Sequence, residues 1–232
     1  MDSGRRIGRS VGVLLLLQMV CALIVPFILM DALVKGYPAF LETAALSADR
    51  IRSGVLLAFV GLGLTVAIGV WMHPLLAGYS KRAALWFVAV CLISAGLDAV
   101  HNASVMSMLA VGERFASAGG ADGAIHQAWA AVAGSMRRSV HIIQLFGIAA
   151  WIATFYVSLW RFRLVPRVLA ALGSIGIALQ FTGVTAMMFL GYPVMTYLAI
   201  PLAPIHAATA IWLIVKGFSN LPDEIEAARS ES

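Results

Sequence analysis

Long runs of apolar residues, separated by short polar stretches, give the sequence its pattern. A transmembrane helix needs about 20 consecutive and mostly apolar residues to cross the hydrocarbon core of a bilayer. Six runs meet that length and predict spans over residues 11–33, 53–73, 84–111, 139–160, 166–190 and 198–216. The expected fold is therefore all-α: a polytopic membrane protein with six transmembrane helices in one bundle, as a single domain over residues 1–232.

The composition excludes several other classes of protein. Hydrophobic residues make up 61% of the chain, charged residues 12%, and the mean hydropathy is +0.92. Soluble domains are about half apolar and about a quarter charged, so a soluble globular domain and a disordered chain are excluded. The net charge of +5 does not indicate nucleic acid, because basic residues of membrane proteins collect on the cytoplasmic side. The lipid bilayer is the expected partner.

The distribution of lysine and arginine predicts the orientation of the chain in the membrane. With the N-terminus inside, ten basic residues fall in inner segments and six in outer segments. Because cytoplasmic loops carry the excess, both termini are expected in the cytoplasm. The longest loop, Gly112 to Arg138, is then periplasmic and is expected to contain a short interfacial helix over Ile125–Met136. Residues 219–232 are expected to form a solvated polar tail.

Small residues recur every four positions in the fifth predicted span. The members of this stripe are Ala170, Ser174, Ala178, Thr182 and Ala186. A stripe of this kind lets another helix approach closely. It predicts packing within one protomer and leaves open a homodimer formed through small-residue helix faces.

Three short motifs give the chain a family resemblance. They are Arg6-Ile7-Gly8 before the first span, Ile51-Arg52-Ser53-Gly54 at the start of the second, and Leu164-Val165-Pro166-Arg167-Val168-Leu169 at the start of the fifth. With these motifs and its number and spacing of spans, the chain resembles the bacterial integral membrane proteins of the domain of unknown function 4386 family over nearly its whole length. The resemblance implies the same membrane topology and a bacterial inner (plasma) membrane location, but it implies no activity.

Ionisable residues within the spans form the candidate site. Asp98 is the only charged residue deep in any predicted span, and His101, His141 and His206 lie in the third, fourth and sixth spans. At about 1.5 Å of helix per residue, all four are expected in one layer near the outer face of the membrane. Because ionisable groups are costly within a membrane, they mark functional sites by default.

Several chemistries fit such a layer, and the sequence leaves open whether the protein is an enzyme. Imidazole nitrogens and a carboxylate suit zinc, so the three histidines are candidate metal ligands, with Asp98 as the catalytic residue of a metal-dependent membrane hydrolase. Two histidines could instead be axial ligands of a haem b. Without a cofactor, Asp98 could serve a proton-coupled transporter, or the four residues could only cross-link helices in a structural membrane protein.

Two arginines at the predicted outer ends of spans are candidates for contact with an anion. Arg52 and Arg138 precede or begin the second and fourth spans, where they could bind a lipid headgroup or an anionic substrate. Long basic side chains in such places more often extend to lipid phosphate. Asp31, near the outer end of the first span, is expected to neutralise one of the arginines.

Overall fold

The apolar runs form helices over most of their length. The computed structural model describes residues 3–34, 39–119, 123–192 and 194–222. Every regular element in these ranges is helical, which confirms the predicted all-α class. The elements are α1 (Ser3–Ile24), a π-helical turn (Val25–Leu29), α2 (Asp31–Val34), α3 (Phe40–Thr43), a 3₁₀ turn (Ala45–Ser47), α4 (Ala48–Ala77), α5 (Lys81–Ser117), α6 (Gly123–Arg161), α7 (Arg167–Leu190), α8 (Met195–Ala199) and α9 (Leu202–Lys216).

Six segments of the described chain are long and apolar enough to cross a membrane. They are Arg5–Leu29, Ala45–Ala77, Lys81–Ser117, Gly123–Arg161, Arg167–Leu190 and Thr196–Lys216. Large apolar side chains on them remain well exposed, among them Leu56 at 69% and Phe189 at 73%. Exposed apolar surface of this kind suits contact with lipid tails. The chain is therefore a multi-pass membrane protein.

The third and fourth of these helices are longer than the apolar pattern indicates. α5 continues to Ser117 and α6 begins at Gly123, so most of the predicted loop between Gly112 and Arg138 is helical. The stretch Ile125–Met136, expected as a separate interfacial helix, is the first part of α6. Alanine has the highest intrinsic helix propensity, and the alanines of this stretch favour helix although they lower the apolar signal. Residues 120–122 lie outside the described ranges.

The start of the predicted polar tail is bound to the turn between α6 and α7. The backbone N–H of Ser219 donates to the Leu164 carbonyl oxygen at 2.8 Å, and Asn220 Nδ2 donates to the Phe162 carbonyl oxygen at 2.9 Å. The hydroxyl of Tyr79 also donates to the carbonyl oxygen of Asn220. These residues therefore do not belong to a free tail. Residues 223–232 lie outside the described ranges.

The chain divides into two compact units, and the single domain over residues 1–232 stays a prediction. Unit 1 contains Met1–Met19, Gly63–Ala95 and Leu145–Ser232, and unit 2 contains Val20–Leu62 and Gly96–Gln144. Each unit has its own apolar core. In unit 1 the largest fully buried side chains are aromatic ones of α5 and α6, namely Phe87, Trp151, Phe155 and Tyr156. In unit 2 the core includes Leu33, Phe40, Ile51, Met108 and Leu109.

α7 packs within unit 1 through its glycines and through only part of the predicted stripe. Its buried face carries Gly173, Gly176 and Gly183 together with Ala170 of the stripe, whereas Ala178 and Thr182 are exposed. A Cβ atom built on Gly176 would lie only 3.1 Å from Leu202 Cδ1 of α9. The glycine face is what lets the neighbouring helix approach so closely.

Candidate functional site

Unit 2 brings three of the candidate residues together with a glutamine. α5 carries Asp98 and His101 three residues apart, and α6 carries His141 and Gln144 at the same spacing. Residues three apart share one face of a helix, so each helix presents a pair. We refer to Asp98, His101, His141 and Gln144 as the α5–α6 polar cluster.

Gln144 connects the two helices through its side-chain amide. Its Nε2 donates to Asp98 Oδ1 at 2.8 Å, and its Oε1 lies 2.9 Å from His141 Nδ1. The His141 ring in turn contacts the His101 ring, with 5.1 Å between centroids and 42° between planes. A hydrogen-bonded path therefore runs from the Asp98 carboxylate through the Gln144 amide to the His141 imidazole, and the His101 ring packs against the end of this path.

The direction of the amide determines the tautomer of His141. An ionised carboxylate only accepts hydrogen bonds, so the NH₂ group of Gln144 must face Asp98 and its oxygen must face His141. His141 Nδ1 therefore carries the hydrogen and donates it to Gln144. In a neutral imidazole the remaining nitrogen, Nε2, is then an acceptor.

Several polar atoms beside this path are buried without a partner among the described residues. They are His101 Nε2, Asn102 Nδ2 and Arg137 Nε. His101 and Asn102 are only 9% and 3% exposed. A buried polar group without a hydrogen bond costs about 1–3 kcal/mol, and such groups are kept where they serve a purpose. The sequence singled out His101, but Asn102 and Arg137 were not among the candidate site residues.

His206 belongs to unit 1 and has different partners. Its Nδ1 lies 3.2 Å from the Tyr156 hydroxyl, and the rings of Trp151 and Phe155 pack around it at 6.1 and 6.3 Å. The Thr209 hydroxyl lies 3.4 Å from the same Tyr156 hydroxyl and donates to the Ile205 carbonyl oxygen. His206 is 5% exposed. It is thus a buried histidine in an aromatic environment of unit 1.

Sequence reasoning missed Tyr156 as the partner of His206. The available signal was a tyrosine deep in an apolar span, because a buried phenol needs a hydrogen-bond partner. The chain accommodates its ring at a glycine: a Cβ atom on Gly173 would lie 2.0 Å from Tyr156 Cε1. Because Gly173 has no side chain, it leaves the space that the Tyr156 ring occupies.

The side chains expected to bind a metal do not form a ligand set in the described part of the chain. No group of three or more His, Cys, Asp or Glu residues there could hold one metal ion. In the α5–α6 polar cluster, Asp98 Oδ1 and His141 Nδ1 both face the Gln144 amide. An amide between a carboxylate and an imidazole fits a hydrogen-bonded path rather than a zinc centre. The zinc and haem sites stay predictions.

Arg52, expected to contact an anion from outside the protein, has carboxylate partners within unit 2. Its Nη1 lies 3.0 Å from Asp49 and its Nη2 lies 2.6 Å from Glu113 of α5. Asp31 pairs with Arg50 at 2.8 Å. Its carboxylate therefore neutralises Arg50 and not Arg52. Arg138 is exposed on α6. Anion binding by Arg52 and Arg138 stays a prediction.

Comparison with known proteins gives one match. The family model described as "Domain of unknown function (DUF4386)" matches residues 10–217. No curated protein and no solved structure matches the chain. The matched range includes the whole α5–α6 polar cluster as well as Tyr156 and His206. Since the family description names no activity, the function has to be argued from the side chains.

Proposed function

The chain belongs to the family described as domain of unknown function (DUF4386), and we propose that it is a proton-coupled transporter of the bacterial inner membrane. The α5–α6 polar cluster is its proton site, and both termini lie in the cytoplasm. The observation that carries the proposal is the bridge that Gln144 makes between Asp98 and His141. The excess of basic residues in the inner segments supports the orientation.

The location of Asp98 supports a functional role. A charged side chain near the centre of a transmembrane helix costs about 2.5–3.5 kcal/mol on insertion scales. Asp98 nevertheless lies within a segment that is apolar enough to span a membrane. Chains of Asp, Glu and His within spans are typical of proton relays in pumps and transporters.

The hydrogen-bond pattern couples the protonation of Asp98 to the state of His141. When Asp98 binds a proton on Oδ1, the new O–H is a donor and needs an acceptor opposite it, which the NH₂ group of Gln144 is not. The amide then turns over, so that Oε1 accepts from Asp98 and Nε2 donates to His141 Nδ1. His141 releases its Nδ1 proton to water and takes one from water on Nε2, so that the imidazole stays neutral and the single proton gained is the one on Asp98. One proton bound at Asp98 therefore switches the tautomer of His141.

Two discrete hydrogen-bond arrangements are what a coupled transporter requires. A ligand, here a proton, shifts a conformational equilibrium only if it interacts differently with the two states. The Gln144 amide links α5 and α6 and has a different orientation in the two states. The proton on Asp98 therefore interacts differently with each state. The unpartnered Nε2 of His101, next to the His141 ring, offers a further position for the proton or for a polar solute.

Proton uptake by the reconstituted protein tests the proposal. Vesicles that enclose a pH-sensitive dye are given an imposed membrane potential, and acidification of the interior is followed. The wild-type protein is expected to acidify the interior faster than empty vesicles, and Asp98→Asn is expected to match the empty vesicles. Glu113→Gln, which removes a different carboxylate from α5, is the matched control and should retain uptake. Equal uptake by Asp98→Asn and the wild type would contradict the proposal.

Analysis of metal content and an optical spectrum separates this function from those that need a cofactor. We expect the detergent-purified protein to contain neither stoichiometric zinc nor a Soret band. Zinc that is lost in His141→Ala would favour the membrane hydrolase with Asp98, His101, His141 and His206 in the roles predicted from the sequence. A Soret band would favour haem b.

A further inference from the structure

A groove at one end of unit 1 combines an apolar wall with a cationic mouth. It lies between the last turns of α6 and the first turns of α7 and has a volume of about 670 Å³. Val157, Ala171 and Ile175 contribute apolar wall, and Arg161, Arg163 and Arg167 line the mouth. Ser174 also faces the groove, but its hydroxyl donates to the Ala170 carbonyl oxygen at 2.9 Å and so leaves the wall apolar.

Two of the three arginines place their guanidinium groups over aromatic rings near the turn between α6 and α7. Arg167 lies over the Trp160 ring at 5.9 Å, and Arg161 lies over the Phe162 ring at 5.8 Å. A ring contact of this kind uses the face of the guanidinium. The N–H groups along its edge remain available for a bidentate contact with phosphate. Among the described residues, no carboxylate lines the groove.

The turn that carries Arg163 is held in a conformation that arginine rarely adopts. Arg163 has φ 55°, in the left-handed region, which costs about 1–2 kcal/mol for a residue with a side chain. The backbone on either side is tied down, because Leu164 N–H donates to the Leu159 carbonyl oxygen and Ser219 N–H donates to the Leu164 carbonyl oxygen. Hydrogen bonds of the adjacent Leu164 therefore stabilise the turn that carries Arg163 at the groove.

We propose that this groove holds one anionic phospholipid, with its phosphate at Arg163 and Arg167 and an acyl chain along the wall of α6 and α7. The apolar wall favours a lipid over free phosphate, since an inorganic ion would gain nothing from Val157 and Ile175. The cationic mouth favours an anionic headgroup over a zwitterionic one. Basic residues close to a membrane surface contribute about 1 kcal/mol each to binding of anionic lipid. The proposal is independent of the proton site.

Arg163 and Arg167 are the residues to change. Arg161 also lines a second groove of about 630 Å³ together with Arg82, so its replacement would affect two places. The test variant is Arg163→Gln/Arg167→Gln. The matched control is Arg6→Gln/Arg114→Gln, which removes the same charge from two exposed arginines that line neither groove. A third variant, Ala171→Trp, fills the apolar wall and keeps every charge.

Native mass spectrometry of the full chain in detergent measures lipid binding with phosphatidylglycerol and phosphatidylcholine of the same acyl composition. The wild type and the control are expected to retain one phosphatidylglycerol in preference to phosphatidylcholine. Loss of two arginine contacts should weaken phosphatidylglycerol binding about 30-fold, equivalent to ~2 kcal/mol. Ala171→Trp should weaken it as well, with an unchanged helical circular dichroism spectrum.

Other results would overturn the proposal. Equal retention of both lipids by the wild type would show a non-selective lipid layer. Unchanged phosphatidylglycerol binding by Arg163→Gln/Arg167→Gln would locate the lipid elsewhere. Displacement of the lipid by millimolar inorganic phosphate, together with normal binding by Ala171→Trp, would show a phosphate site without an acyl-chain groove.

Discussion

Gln144 is the residue that turns separate ionisable side chains into a connected path. It is uncharged and half-buried, and its importance follows from its two hydrogen bonds, one to each neighbour. Neither Asp98 nor His141 reaches the other without it in this arrangement. In the α5–α6 polar cluster the residue that connects the two helices is therefore a glutamine rather than a histidine.

Replacement of Gln144 by leucine should destabilise the protein. Gln144→Leu leaves the Asp98 carboxylate and His141 Nδ1 without this partner, at a cost of about 1–3 kcal/mol. Thermal unfolding in detergent measures the effect, with Gln127→Leu on the exposed side of α6 as control. Asp98→Leu/Gln144→Leu should recover part of the loss, because both partners of the bond are then apolar. Equal thermal stability of Gln144→Leu and Gln127→Leu would contradict the hydrogen-bonded bridge from Asp98 to His141.

The Tyr156 hydroxyl is expected to stabilise unit 1 through His206. Tyr156→Phe removes the partner of His206 Nδ1 in a buried site, and we expect a loss of about 1–3 kcal/mol in unfolding free energy. Tyr197→Phe is the control, since Tyr197 is 74% exposed. Chemical denaturation monitored by tryptophan fluorescence measures both variants. A Tyr156→Phe protein as stable as the control would mean that this hydrogen bond contributes nothing.

At the scale of elements, glycines decide how closely α7 approaches its neighbours. Gly173 faces the ring of Tyr156 and Gly176 faces Leu202. A larger residue at either position would force the helices apart or displace the partner side chain. The packing of α7 in unit 1 therefore depends on glycines, which have no side chain.

Gly173→Ala should be strongly destabilising although alanine favours helix. The added Cβ would lie 2.0 Å from Tyr156 Cε1, and overpacking of this kind costs about 1–3 kcal/mol. Gly63→Ala in α4 is the matched control, because its Cβ would meet nothing within 4 Å. It should raise stability by about 0.5–1 kcal/mol through helix propensity alone. Melting temperatures that move in the same direction for the two variants would contradict the packing of Tyr156 on Gly173.

At the scale of the whole molecule, the orientation in the membrane is predicted from charge rather than from packing. Cysteine variants and an impermeant thiol reagent test it. Ser117→Cys, at the end of α5, should be labelled in intact cells, and Ser219→Cys should be labelled only after permeabilisation. The native Cys21 and Cys91 are buried and should react little. The reverse pattern would place the termini outside.

Much of the architecture could be predicted from the sequence because it depends on local properties. The length of an apolar run determines whether a helix can cross a membrane, and the described part of the chain has six such helices. The cost of an ionisable group in a span made Asp98, His101, His141 and His206 candidates in the same way, and their roles stay predictions. Helix ends were harder to predict, because the alanine-rich start of α6 is helical without being strongly apolar.

The partners of each side chain were decided by tertiary structure alone. The period of a helix places Asp98 and His101 on one face of α5, but it does not say which helix that face meets. Packing places Gln144 between Asp98 and His141 in unit 2. In unit 1 it places His206 against the Tyr156 hydroxyl. Contacts between helices depend on shape and on glycines such as Gly173. For that reason the sequence by itself determined which residues are candidates, and only the fold decided which of them are in contact.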